Sequence, residues 1–155
     1  MLELGCGPGD PATRILAERH RVVGVDLSGG QLAIARRHAP GAALVQADMT
    51  RLSVRPASVD AVAAFFAFGH LPSAAHAPML AAIGEWLRPG GVLVATFPLS
   101  AGDGGDYEWL GVPMYFGGIG RDATLAALAD AGLTVESVER VGPEGDRFDW
   151  VVATR

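Results

Sequence analysis

The sequence predicts an α/β fold, a mostly parallel sheet with helices wound on both faces. Two observations carry this. Short apolar runs that suit strands alternate along the chain with segments of helical periodicity, the pattern of repeated strand–helix–strand units. The first run, Leu2-Glu3-Leu4, also passes straight into three alternate glycines, Gly5, Gly7 and Gly9. A strand that ends in such a loop opens a binding crevice at its carboxyl end. The chain has 155 residues, half of them apolar. That length reads as one domain, able to bury about 68–70% of its unfolded surface.

The elements follow in order. Residues 1–5 form the first strand. Asp10 reads as an N-cap and Pro11 as the first residue of the next helix. Residues 21–26 are an apolar run ending in Asp26, a second strand. Ser28-Gly29-Gly30-Gln31 reads as a capping box that opens a second helix, which stops near Ala39-Pro40-Gly41. Residues 43–47 are a third strand. Residues 59–66, apolar except for Asp60, are too apolar for a one-sided strand and suit a central one. Met79, Leu80, Ile83 and Leu87 recur at helical spacing over 73–87. Arg88-Pro89-Gly90-Gly91 ends that helix, and 92–97 make a fifth strand.

Residues 99–120 break the pattern. They hold seven glycines together with Tyr107, Trp109, Met114, Tyr115 and Phe116. A loop this long in a compact domain is functional or disordered, and its aromatics argue for function. It is expected to be a lid or substrate loop. Asp122 then reads as the cap of a helix with Leu125, Leu128 and Ala129 inward and Gly132 at its end. Thr134–Val141 and Phe148–Thr154 close the sheet as a hairpin.

Composition excludes several classes. The net charge is −5 with no basic block, which argues against a nucleic-acid backbone as partner. One cysteine forms no internal disulfide and suits a reducing compartment. No apolar run reaches the length of a membrane span, and Glu3 interrupts any signal peptide at the start. The expectation is a cytoplasmic protein without membrane insertion. His20, His38 and His76 have no motif around them and read as surface residues, and no cluster has metal-ligand spacing.

The glycine loop also indicates a ligand. In the dinucleotide fingerprint, counted from Gly5 and Gly7, a third glycine would stand where this chain has Asp10. A carboxylate at that helix mouth repels a pyrophosphate. A loop with acid on both sides suits a ligand with cationic parts, such as the sulfonium and ammonium of S-adenosylmethionine (SAM). Asp26, on the same sheet edge, offers two oxygens in one plane to a pair of ribose hydroxyls.

Four segments, Leu2-Glu-Leu-Gly-Cys-Gly-Pro-Gly9, Val22-Val-Gly-Val-Asp-Leu-Ser28, Gln46-Ala-Asp-Met49 and Leu87-Arg-Pro-Gly-Gly91, stand in the order and spacing of a known family. On them, nearly the whole chain resembles the class I SAM-dependent methyltransferases, and within these the small-molecule enzymes of the UbiE or type 11 kind. The resemblance implies a Rossmann-like, doubly wound sheet of seven strands, the last antiparallel. It implies SAM as cofactor, a small-molecule acceptor and a cytoplasmic enzyme, and is compatible with a homodimer. Family members usually carry helices before the first strand. Here Met1 lies inside it, so either the sequence is a fragment or has a misassigned start, or the chain is naturally short with an open pocket.

The resemblance also assigns residues. Gly5, Cys6, Gly7 and Gly9 form the loop under the methionine part of SAM, and Glu3 helps hold the ammonium. Asp10 reads equally as a ligand contact or a helix cap. Asp26 takes the ribose, and Leu27 packs on the adenosine or in the core. Asp48 takes the adenine amino group, or caps the turn after it, with Met49 beside it. Phe65, Phe66 and Ala67 end the fourth strand at the reaction centre, with Phe65 expected against the cofactor. His70, just beyond, is the candidate general base, with loop structure as its other reading. Tyr107, Trp109, Met114 and Tyr115 are the candidate acceptor-binding residues, unless the segment simply folds on itself. Two rival functions stand beside this one: a nicotinamide-dependent oxidoreductase, and a non-catalytic SAM-binding or regulatory partner.

Overall fold

A computed structural model describes residues 1–109, 111–142 and 147–155, without the side chains of 103, 104, 106 and 109. The strands are β1 (Leu2–Leu4), β2 (Val23–Asp26), β3 (Ala43–Gln46), β4 (Val59–Ala64), β5 (Leu87–Pro98), β6 (Ala101–Trp109), β7 (Val112–Ile119), β8 (Thr134–Val141) and β9 (Phe148–Thr154). The helices are α1 (Ala12–Ala17), α2 (Gly29–His38), α3 (Ser73–Trp86) and α4 (Arg121–Asp130).

Seven strands form one sheet in the order β3-β2-β1-β4-β5-β9-β8. β1 to β5 run parallel, and β9 is antiparallel to both β5 and β8. This is the expected doubly wound, Rossmann-like sheet with its last strand antiparallel. The chain winds outward from β1 to β3, then returns to β4 on the other side of β1. Right-handed crossovers therefore put α1 and α2 on one face and α3 on the other. The reversal between β1 and β4 is the switch point at which such sheets hold ligands.

The core follows from the apolar runs. Leu4, Val25, Val62, Leu93 and Phe97 of the sheet meet Leu80, Ile83 and Leu128 of α3 and α4, all at most 2% exposed. Central placement explains why β4 is apolar on both faces from Ala61 onward.

Several local expectations change. Asp10 does not cap α1: Pro11 holds that position with no side-chain cap, and Asp10 instead pairs with Arg14 at 2.7 Å. Half of the capping box forms, as Ser28 Oγ accepts from the Gln31 N–H at 3.2 Å. The Ser28 N–H is taken by Asp26 rather than Gln31. Gly120, not Asp122, caps α4, and Ala129 points outward. β5 begins directly at Leu87, because 88–91 bulge out of register with β4 instead of separating helix from strand.

Residues 99–120 differ most. They are a β-hairpin, β6 against β7, apart from the main sheet. Its base is held by the Ser73 hydroxyl, which lies 2.5 Å from the Gly102 carbonyl and 2.9 Å from that of Gly118. His76 is not a surface residue. It is 1% exposed in α3, with its ring 5.4 Å from that of Phe68, and neither ring nitrogen has a hydrogen-bond partner. Burial lowers its pKa, partly offset by the facing carbonyls of Leu71 and Phe68.

Candidate active site

A cleft of about 640 Å³ opens over the carboxyl ends of β1, β2, β3 and β4. Its first half is made by Gly5, Gly7, Asp26, Leu27, Asp48 and Met49. The glycine loop has its shape for steric reasons. Gly5 lies at φ +67, and a Cβ there would stand 2.6 Å from the Cβ of Ala67. Gly7, at φ +52, would meet nothing within 4 Å, so its backbone faces open space.

Asp26 ties this half together. Its Oδ2 accepts the Gly7 N–H and its Oδ1 the Ser28 N–H, both at 2.8 Å. One carboxylate thus joins the glycine loop to the start of α2. Each oxygen keeps a lone pair for a ligand, since a carboxylate has about four acceptor positions. Leu27 is 71% exposed beside it, so it belongs to the cleft wall and not to the core. Asp48 both lines the cleft and caps the short turn Met49–Arg51. Its Oδ1 accepts the Thr50 hydroxyl at 2.7 Å and the Thr50 N–H at 2.9 Å. The Thr50 hydroxyl, then its N–H, hold the Asp48 pKa below the ordinary carboxylate value.

The second half comes from the segment after β4 and from the hairpin: Phe65, Phe66, Ala67, His70, Leu71, Met114 and Tyr115. The ring of Phe65 stacks on that of Trp150 at 5.1 Å. Phe66 stands at φ +55 with its N–H donating to Thr96 Oγ1 at 2.6 Å, and its ring meets Phe148 edge-on at 5.0 Å. His70 Nδ1 lies 3.0 Å from the Tyr115 carbonyl oxygen. A carbonyl only accepts, so Nδ1 carries the proton, and the neutral ring keeps Nε2 as an acceptor.

Not every candidate reaches the cleft. Glu3 is 2% exposed, because β1 is central and all three of its residues are buried. Burial raises its pKa, with the Thr13 hydroxyl acting weakly the other way, and Oε2 has no hydrogen-bond partner. Cys6 is also buried. Its thiol is pushed up to about 12 by burial, then by the charges of Asp26 and Glu3, which keeps it protonated and inert. Gly9 is a packing glycine, since a Cβ there would lie 3.1 Å from that of Ala35 in α2. Tyr107 is 61% exposed and outside the cleft wall, and the Trp109 side chain is outside the described residues. The wall also contains Val25, Ser28, Gln31, Ala47 and Leu71. Sequence reasoning gave these no ligand role, because Ser28 and Gln31 read as a helix cap and the others as ordinary apolar residues. Among the described residues no three His, Cys, Asp or Glu side chains are grouped to hold a metal, and no helix is long and apolar enough to cross a membrane.

Residues 1–91 match the sequence model of the family described as "Methyltransferase domain". That is more than half of the chain, and the chain belongs to this family. The trans-aconitate 2-methyltransferase of Methylobacterium nodulans is 39% identical over 101 residues, which covers 63% of this chain and 38% of that protein. The chain thus matches well under half the length of such relatives. The fold is also that of solved structures. A putative S-adenosylmethionine dependent methyltransferase from Listeria monocytogenes superposes with a TM-score of 0.81 at 17% identity, over 99% of this chain and 89% of that one. An S-adenosylmethionine dependent methyltransferase from Mesorhizobium loti gives 0.79 at 24% identity, with the same coverage. At these identities the likeness concerns the fold.

Proposed function

We propose that this chain binds S-adenosylmethionine and moves its methyl group to a small-molecule acceptor. The observation that carries this is Asp26 at the end of β2, whose carboxylate is fixed by the N–H groups of Gly7 and Ser28, with lone pairs left toward the cleft. It supplies the rigid acceptor pair that the ribose of an adenosine needs. A cleft of about 640 Å³ is within the range of small-ligand sites, about 300–1,000 Å³.

When bound, SAM supplies a methyl group already activated by its sulfonium. The residues then have mainly to position the two reactants. Gly5 and Gly7 would leave room under the methionine part, Leu27 and Met49 would flank the adenine, and Asp48 would accept from the adenine amino group. Phe65 stands at the end of β4, where the methyl would lie. Glu3 supports the loop from below rather than touching ligand. Met114 and Tyr115 of the hairpin wall the acceptor half, so the hairpin takes the part of a lid. His70 Nε2, left as the acceptor nitrogen by the Nδ1 contact with the Tyr115 carbonyl, would take the proton of a hydroxyl acceptor. The buried single cysteine suits a reducing compartment such as the cytoplasm, and the oligomeric state follows from light scattering of the same sample.

Calorimetric titration with S-adenosylhomocysteine (SAH), against NADH as control, tests this reading. Saturable one-site binding of SAH alone is expected. Retention of NADH in its place would instead support a nicotinamide enzyme. Against that stands Asp10, charged and beside the mouth of α1, where a pyrophosphate would sit.

A further inference from the structure

The acceptor half of the cleft differs from what the names of the curated relatives suggest. A trans-aconitate methyltransferase takes a tricarboxylate. Binding a multiply charged anion away from water requires cations, typically the forked guanidinium of arginine. Among the described residues of this cleft wall there is no Arg or Lys, although the chain has 12 arginines. Its charged side chains are the carboxylates of Asp26 and Asp48, in a chain of net charge −5. A tricarboxylate would find no cationic side chain among the described residues of this wall.

The same wall is built for an apolar surface. Phe66, Ala67, Leu71 and Met114 form it, with His70 and Tyr115 at its edge. Phe66 decides the matter. The residue is 51% exposed and its backbone is left-handed, at φ +55. Bulky residues seldom adopt that conformation, and where they do the surroundings impose it, commonly at a ligand site. The surroundings here are the buried Thr96 hydroxyl on its N–H and the edge of Phe148 on its ring. Phe65 is fastened to the same strand through Trp150. The fold thus holds a fixed aromatic platform half in the cleft, an arrangement that favours a stacked or edge-on apolar partner.

We infer that the acceptor is an uncharged, flat or apolar molecule bound on Phe66, carrying one hydroxyl toward His70, and not a polycarboxylate. This rests on the proposed methyl-transfer function. The test uses the full 155-residue chain saturated with SAH and titrated calorimetrically with naphthol and with trans-aconitate, for wild type and Phe66→Gly. Glycine accepts φ +55 without strain, so the variant keeps the fold while losing the ring.

Saturable naphthol binding is expected, weakened about tenfold or more in the variant, with no saturable heat from trans-aconitate. Binding of trans-aconitate but not naphthol would overturn the inference, as would naphthol binding indifferent to Phe66→Gly. A chain that binds SAH but neither probe would overturn the acceptor class alone. A folded chain that fails to bind SAH would overturn the function on which it rests.

Discussion

The two halves of the cleft are built differently. The half over β1, β2 and β3 is backbone held by a side chain: a glycine loop whose path is set by a close approach to Ala67, fixed to α2 by one carboxylate. The half beyond β4 is side chain held by backbone: aromatic rings fastened to β9, and a hairpin fastened through His70 and Ser73. The first arrangement leaves little freedom in residue type. The second fixes positions and leaves the residues there open to change, which suits a site where the cofactor is common to many enzymes and the acceptor is not.

The sharpest way to break this comparison is at Asp26. Asp26→Ala removes the tie and the ribose partner together, and hydrogen bonds to a charged group contribute about 1.5–3 kcal/mol each. SAH affinity should fall by roughly two orders of magnitude or more, measured by calorimetry. Unaltered binding would mean that the first half is not the cofactor half.

Gly5→Ala comes next. It adds a Cβ 2.6 Å from that of Ala67 at a positive φ, so overpacking and strain act together, at about 2–4 kcal/mol of stability. Gly7→Ala has open space around it and should lose only the conformational part, about 1 kcal/mol. Denaturant unfolding of the pair separates a loop held by contact from one held by conformation alone. In the other half, His70→Ala removes one anchor of the hairpin at about 1 kcal/mol. Hydrogen exchange should quicken across β7 and stay unchanged in β2.

The smallest effects concern the two buried groups that lie under the two halves, and their pH dependences oppose one another. Glu3 sits below the glycine loop with its pKa raised by burial. Its folded form favours the proton, so stability is lost as pH rises above the ordinary value of 4.5. His76 sits below the segment that carries His70, with its pKa lowered. Its folded form rejects the proton, so stability is lost as pH falls below 6.5. In thermal melts, Glu3→Gln should gain over wild type on the neutral side only, and His76→Leu on the acid side only. The same slope in both variants would sink the assignment.

The first half was readable because its signals are local. Glycines at alternate positions, an acid ending an apolar run and a serine three residues before a helical amide each act within a few residues. The parallel sheet with helices on both faces followed from the alternation of elements, and its antiparallel last strand from the family resemblance. The hairpin was missed because its pairing is between strands rich in glycine, Gly102 opposite Gly118 and Gly105 opposite Phe116, and glycine gives neither period nor propensity. His76 was missed for a similar reason. It reads as polar in sequence, yet stands one turn before Leu80 on the buried stripe of α3. Asp10 and Asp122 were the right residue types one or two places from where the backbone turns, and caps depend on that backbone geometry.

The contact between Gly5 and Ala67 has a practical side. At that point the two halves share a wall only one methyl group thick. A library that reshapes the acceptor side can vary Met114 and Tyr115, whereas Leu71 belongs to the core, Phe66 stands at a positive φ, and any larger side chain at 67 pushes on the glycine loop. Selections for new acceptors should therefore leave position 67 as alanine throughout, and variants that escape this rule should carry a second change in the loop itself.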